Sequence, residues 1–261
     1  MDPPISPTAQ NPPDAQIDHA ASLTYWNSVS ADTTGMLGGF PQTSRIDLQG
    51  SSNFLAKLRR AARPSPSGTA GASLPRLNRV ADCGAGVGRV TNGFLRNVAD
   101  TVDVVEPVVK FTDAIARDGD NNNTHDSSRK EEDTPRGRIG EIINLGLQDW
   151  HPSPNTYDLI WNQWCLGHLT DAQLVEYLVR CKAGLVQGSS ATPAWIVVKE
   201  NMSTDAWKRD IYDEVDSSVT RSDEKFRDLF KKAGLKVVAA DLQRGFPRDL
   251  FPVRMYALRP E

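Results

Sequence analysis

One stretch, Asp82-Cys83-Gly84-Ala85-Gly86-Val87-Gly88-Arg89, narrows the folds open to this chain more than anything else in it, because it follows directly on a short apolar run. Glycines at alternate positions let a strand turn sharply and let backbone N–H groups approach a ligand, and the segment after Arg89 can open a helix whose N-terminus favours negative charge. Loops of this kind also serve nicotinamide and flavin enzymes and occur as plain structural turns, so the loop alone leaves the ligand open.

The next β-rich stretch, Thr101-Val102-Asp103-Val104-Val105-Glu106, ends in a carboxylate about 20 residues beyond the glycines, where a ribose's paired hydroxyls are bound in folds of this type. A solvated strand end is the lesser alternative for Glu106 taken alone. Together with the loop it points to a nucleoside-containing cofactor. A dehydrogenase more often carries Gly-x-Gly-x-x-Gly, whereas the compact Asp-x-Gly-x-Gly-x-Gly form here resembles the S-adenosyl-L-methionine (AdoMet) loop of class I methyltransferases.

The 261 residues, 39% of them hydrophobic, suffice for one α/β domain with a sizeable core. A formal charge of −3 argues against general polyanion binding, so no nucleic acid is expected as partner. No apolar leader and no run of membrane-spanning length is evident, so no membrane partner and a soluble cytoplasmic or nuclear protein are the expectation. Cys83, Cys165 and Cys181 are too widely spaced for a Cys-x-x-Cys site, and buried free thiols are expected rather than a metal or disulfides.

The expected organisation is a disordered tail over 1–20, rich in proline, and a single domain over 21–261. Within that domain, 21–62 reads as an N-terminal helical cap with a helix from Ser44 to Arg60, and 119–137 as a flexible, polar insertion. Strands are expected near Arg79–Cys83, Asp103–Glu106, Ile139–Asn144, Tyr157–Asn162 and Ala194–Glu200. Helices are expected near Val90–Val98, Val108–Arg117 and Asp171–Leu185. This alternation predicts an α/β Rossmann-like sheet, mostly parallel, with helices on both faces. A helix over Asp223–Ala233 and strands near Leu235–Leu242 and Val253–Leu258 add an antiparallel edge hairpin. Ligands of such sheets bind beyond the carboxyl ends of the strands.

The segments Tyr25-Trp26, Gly35-Met36-Leu37-Gly38-Gly39, Asp82 to Arg89, Gly146-Leu147-Gln148-Asp149, Trp161-Asn162-Gln163-Trp164, Gly167-His168-Leu169-Thr170-Asp171, Lys199-Glu200-Asn201-Met202 and Val215-Asp216-Ser217-Ser218 resemble the eukaryotic protein α-N-terminal methyltransferases. The resemblance spans roughly Tyr25 to Leu258. It implies AdoMet-dependent methylation, without a metal and with S-adenosyl-L-homocysteine as product, of the exposed α-amine of proteins beginning Xaa-Pro-Lys or Xaa-Pro-Arg, ribosomal proteins for example. Two other activities stay open: methylation of a small metabolite, and a non-catalytic AdoMet-binding partner protein.

Carried onto this sequence, the resemblance implies that Gly84 and Arg89 hold the methionine end of AdoMet, Arg89 through a bidentate fork on its carboxylate. It implies that Glu106 takes the ribose hydroxyls, Leu147 and Gln148 flank the adenine, and Gln163 approaches the amino-acid moiety. Methyl transfer needs a neutral nitrogen lone pair, and an α-amine with pKa around 7.7–8.0 is about a tenth neutral at pH 7. His168 or Asp216 can then accept the ammonium proton, and Asn201 can orient the amine. Thr170 or Asp171 can instead make this stretch a helix cap. A cationic third substrate residue calls for carboxylates. Asp213 and Asp216, three apart, share a face if they lie on a helical turn, and Ser218 adds a hydroxyl. Trp26 and Trp164, with Leu37 and Leu250, are expected to wall the slot for the first residue and the proline ring.

Overall fold

Among the described residues seven strands share one sheet, in the order β3 (Arg138–Ile143), β2 (Ala99–Val105), β1 (Leu77–Cys83), β4 (Leu159–Gln163), β5 (Trp195–Asn201), β9 (Val253–Pro260) and β8 (Leu235–Leu242). The computed structural model describes residues 12–62, 74–121, 136–187 and 193–261. Strands β1 (Leu77–Cys83), β2 (Ala99–Val105), β3 (Arg138–Ile143), β4 (Leu159–Gln163) and β5 (Trp195–Asn201) are parallel. A strand β9 (Val253–Pro260) pairs antiparallel with β5, and β8 (Leu235–Leu242) antiparallel with β9. The chain winds outward from β1 through β2 to β3, then returns to β4 on β1's other side. That reversal opens a crevice between β1 and β4 at their carboxyl ends.

The central strands are covered on both faces, so they read as nearly unbroken apolar runs. All five residues of β4 are buried, and Val80, Ala81 and Cys83 of β1 are fully so. On one face, helix α3 (Ser44–Ala61) lays down Phe54, Leu55 and Leu58 with Phe94, Leu95 and Trp161. On the other, helix α6 (Asp171–Gly184) presents Leu174, Tyr177, Leu178 and Cys181, the spacing of one helical stripe. Phe226, Leu229 and Phe230 of α7 (Asp223–Lys232) complete that layer against Tyr256 and Leu258. All three cysteines are free and buried, as their spacing suggested. Thr170 caps α6 in a reciprocal box with Gln173.

Three places depart from the sequence-based expectations. The tail expected over 1–20 is ordered from Pro12 on: Pro13–Gln16 forms a 3-10 turn and α1 runs His19–Ser28. Polar docking, not burial, orders it. Asp14 accepts from the Asp171 amide at 2.9 Å, and the Asp18 amide donates to Ser217 Oγ at 2.8 Å. Residues 1–11 lie outside the described residues, as does most of the expected insertion, 122–135; the helix before it, α5 (Val109–Asn121), runs to Asn121. The cap continues as expected through a short α2 (Thr33–Met36) into α3.

The helix expected over 90–98 is wound as a π turn, Thr91–Leu95, ahead of α4 (Arg96–Val98). Finally, Asp213 and Asp216 do not lie on a helical turn. β6 (Ile211–Asp213) and β7 (Ser218–Thr220) form a separate antiparallel hairpin whose turn carries residues 214–217. Ser217, at φ 55°, closes that turn.

Candidate active site

The β1 strand ends in the glycine loop, and all three glycines adopt left-handed backbone: Gly84 at φ 67°, Gly86 at 54° and Gly88 at 77°. A Cβ on Gly84 would lie 2.3 Å from that of Cys165, so a side chain there is excluded on steric grounds as well, whereas at Gly86 the nearest atom is the movable Met36 Sδ and the left-handed backbone is the constraint. This loop, the ends of β2 and β4, the segment after β3 and helix α1 enclose a cavity of about 400 Å³. The volume lies within the usual range for small-molecule sites, roughly 300–1,000 Å³.

Glu106 stands at the cavity wall just past β2. Its Oε2 accepts from the Gly86 amide and its Oε1 from the Val108 amide, both at 2.9 Å. Burial pushes this carboxyl above its usual range, and the two amides pull it back. Each oxygen keeps a further lone pair, which suits a vicinal diol. Asp82 is buried beneath the loop and pushed up to about 7 by burial, with the Thr91 hydroxyl and Arg89 opposing.

At the methionine end of the expected ligand, Arg89 Nη1 donates to Asp47 Oδ2 at 2.7 Å, and its guanidinium lies 5.5 Å from the Trp164 ring. Gln163 is held from both sides. Its amide donates to Asp47 at 2.9 and 3.0 Å, and its carbonyl accepts from Trp161 Nε1 at 3.1 Å. After β3, Arg180 pins the segment expected beside the adenine by donating to the carbonyls of Leu147 and Gln148, each at 2.9 Å.

His168 sits on the opposite wall under α1. Its Nε2 faces Trp26 Nε1 at 3.1 Å and its Nδ1 faces Ser22 Oγ at 3.0 Å. An indole N–H can only donate, so Nε2 is the acceptor and the proton of the neutral ring resides on Nδ1. Burial depresses the imidazole pKa, against the pull of Asp216. With Nε2 accepting from Trp26 and the proton on Nδ1, the ring has no lone pair left for a substrate proton. Asp216 is different: its Oδ1 is buried and has no hydrogen-bond partner among the described residues. The Asp216 carboxylate arrives from the hairpin, which packs closely on Gly167, 3.4 Å from the position of a Cβ there to that of Ser218. Burial, then Asp216 and Asp213, raise the Tyr25 phenol above its ordinary value. One rung on, Glu200 Oε1 accepts from the Cys165 and Leu166 amides, both at 2.9 Å, which holds the strand-to-loop turn ahead of His168.

Gly84, Arg89, Glu106, Leu147, Gln148 and Gln163, expected around the cofactor, all line the cavity, and so do Trp26, Trp164 and His168. Leu37, Asn201, Asp213, Asp216, Ser218 and Leu250 lie outside its wall. Among these Asp213 is exposed, its Oδ1 turned back on the Val215 amide at 2.9 Å. Trp26 is a partner of His168 as well as a wall. Sequence reasoning missed Asp47 and Ser22, because neither belongs to a motif and each meets its partner only through tertiary packing.

Residues 14–259 match the family described as AdoMet-dependent proline di-methyltransferase. The chain is 41% identical to the alpha N-terminal protein methyltransferase 1 of Schizosaccharomyces pombe, over 93% of this chain and 96% of that protein. It is 38% identical to the N-terminal Xaa-Pro-Lys N-methyltransferase 1-A of Xenopus laevis, over 92% and 95%. Among solved structures, a SAM-dependent methyltransferase of Leishmania major superposes with a TM-score of 0.74 at 33% identity, covering 92% of this chain and 82% of that one. The chain belongs to this family and is an AdoMet-dependent methyltransferase of class I fold.

Proposed function

We propose that this member of the AdoMet-dependent proline di-methyltransferases transfers methyl groups to the exposed α-amine of proteins beginning Xaa-Pro-Lys or Xaa-Pro-Arg. The names of the relatives in S. pombe and X. laevis support the substrate class. The observation that carries the chemistry is Asp216 Oδ1, a buried carboxylate oxygen without a hydrogen-bond partner among the described residues, beside a fully engaged His168. A buried acceptor left unsatisfied costs about 1–3 kcal/mol, and an ammonium arriving there would relieve that cost.

The donor set fits the cofactor: a carboxylate with spare lone pairs for a diol, an arginine for a carboxylate, and N–H groups of a glycine turn. Bound AdoMet supplies an electrophilic sulfonium methyl. Glu106 takes the ribose hydroxyls and Leu147 and Gln148 border the adenine, while Arg89 and Gly84 hold the methionine end with Gln163 beside it. Arg89's Nη1 is committed to Asp47, so its remaining donors serve the ligand.

Asp216 takes the α-ammonium proton, directly or through one water, since it has the lone pair that His168 lacks in this arrangement. His168, locked in its Nδ1–H form, braces Trp26 over the slot. Asn201, at the end of β5, orients the amine through its carbonyl. Trp26, Trp164, Leu37 and Leu250 border the first residue and the proline. Asp213, with Ser218, provides the negative potential for the third residue from the hairpin's exposed edge, where long Lys or Arg side chains can reach it. Ribosomal proteins with such N-termini are the first substrates we propose, and the buried free thiols favour a reducing compartment, cytoplasm or nucleus.

The test is a mass-spectrometric time course with an Ala-Pro-Lys peptide, free and N-acetylated. Methyl groups on the α-nitrogen of the free peptide, and none on the acetylated one, are expected. Equal methylation of both, or methylation of the lysine side chain, would overturn the assignment.

A further inference from the structure

The carboxylate of Asp47 is fully buried on α3, outside the loops that make up the rest of the cofactor wall, and three side chains converge on it. Arg89 Nη1 reaches Oδ2 at 2.7 Å, Gln163 Nε2 reaches both oxygens, and Lys199 Nζ lies 2.6 Å from Oδ1. Lys199 is itself fully buried. Its ammonium also donates to the Asp47 carbonyl and Ser51 Oγ, both at 3.0 Å, and to Gln243 Oε1 at 2.8 Å. Thus α3, the glycine loop, β4 and β5 meet at one carboxylate.

Two of the three donors, Arg89 and Gln163, also line the cavity; Lys199 does not. Asp47 touches the cavity only through them. Long side chains such as these lose much rotamer freedom when held, and a guanidinium gripped at one nitrogen keeps its other donors aimed along a fixed direction. One carboxylate set against two cations also leaves the cluster cationic on the side where an anionic ligand group would sit.

We propose that Asp47 is a positioning residue of the cofactor site, orienting Arg89 and Gln163 together against the amino-acid end of AdoMet. The inference rests on the reading that Arg89 holds that end. It makes the N-terminal cap a part of the cofactor site as well as a cover for the substrate.

The test compares two ligands by calorimetry. S-adenosylhomocysteine has the amino-acid end, and 5′-methylthioadenosine keeps the adenosine and sulfur without it. Asp47→Asn should weaken S-adenosylhomocysteine about tenfold, the scale of one charge-assisted hydrogen bond, and leave methylthioadenosine within about twofold. A general loosening of the loop would weaken both alike and would overturn the proposal, as would no change in either. Because Asp47→Asn strands a buried ammonium, Asp47→Asn/Lys199→Met removes the charge with its counterion and should show the same ligand-dependent loss. Failure of both variants to fold would make Asp47 a structural residue and also overturn the proposal. Arg89→Ala separates the two readings. If it changes the ligand ratio and the Asp47 variants do not, only the role of Asp47 falls; if Arg89→Ala leaves the ratio unchanged, the Arg89 assignment falls and this proposal with it.

Discussion

Replacing Asp216 by Asn keeps the shape of the side chain and removes its charge at a place where Oδ1 has no hydrogen-bond partner among the described residues. If that oxygen receives the substrate ammonium, the lost interaction is a charge-assisted hydrogen bond of about 1.5–3 kcal/mol, or a roughly ten- to hundredfold fall in kcat/KM on an Ala-Pro-Lys peptide. The free enzyme should respond in the opposite sense. The desolvated carboxylate costs the fold something on the order of 1 kcal/mol, so the variant's thermal midpoint should be unchanged or raised by about 2–4 °C. AdoMet affinity should hold, because Asp216 stands outside the wall that carries Arg89 and Glu106. Steady-state kinetics by mass spectrometry, scanning fluorimetry and calorimetry read the three quantities. Near-normal turnover would refute the role of Asp216 in proton removal. Lost activity with a midpoint several degrees lower would refute it too, since Asp216 would then be holding the hairpin rather than meeting the amine.

Glu200→Gln should flatten the pH dependence of stability. Burial raises this carboxyl to about 7, so as pH climbs the unfolded chain loses its proton first, and the stability present below about pH 4 is lost on passing pH 7. Both loop amides bond to Oε1, which Gln retains, so the variant should gain up to about 3 kcal/mol over wild type at pH 8 and nothing at pH 4 in urea titrations; parallel curves would contradict this. Peptides with Lys, Gln or Glu at the third position should fall in that order of kcat/KM, with added salt weakening the Lys peptide most. Values within about twofold of one another would remove the acidic edge from the specificity rule.

The sheet was legible because its signals are local. Strand, glycine turn and helix recur along the chain, and Gly84, Glu106, Leu147 and Gln163 each follow or end a strand that the apolar runs of β1 to β4 define. The cap helix α3 was legible for the same reason, through its Phe54, Leu55 and Leu58 stripe. The hairpin was not. Strands of three residues around a turn of acids and serines carry too little alternation to be told from a solvated helical face, and Ser217's left-handed backbone has no glycine to signal it. Nor was the order at Pro12–Asp18 legible, because it comes from single hydrogen bonds to Asp171 and Ser217, 157 and 199 residues away. Asp47 is hidden in the same manner: its partners Arg89, Gln163 and Lys199 lie 42, 116 and 152 residues downstream.

The parts that escaped the sequence are the ones that distinguish this site from the sheet it is built on. The sheet does not itself choose a substrate, because one such fold hosts many different chemistries. In this chain the cap reaches into the site from two directions. Ser22 and Trp26 of α1 fix the tautomer of His168, and Asp47 of α3 grips Arg89 and Gln163. Both attachments are polar and partly or wholly buried, so each depends on geometry far more steeply than apolar packing does. A displaced α1 would free His168 Nε2 and leave the Trp26 indole without its acceptor, while a displaced α3 would strand Arg89 and Lys199 together. The halves proposed for substrate and cofactor would therefore share one structural dependency, the seating of the N-terminal cap.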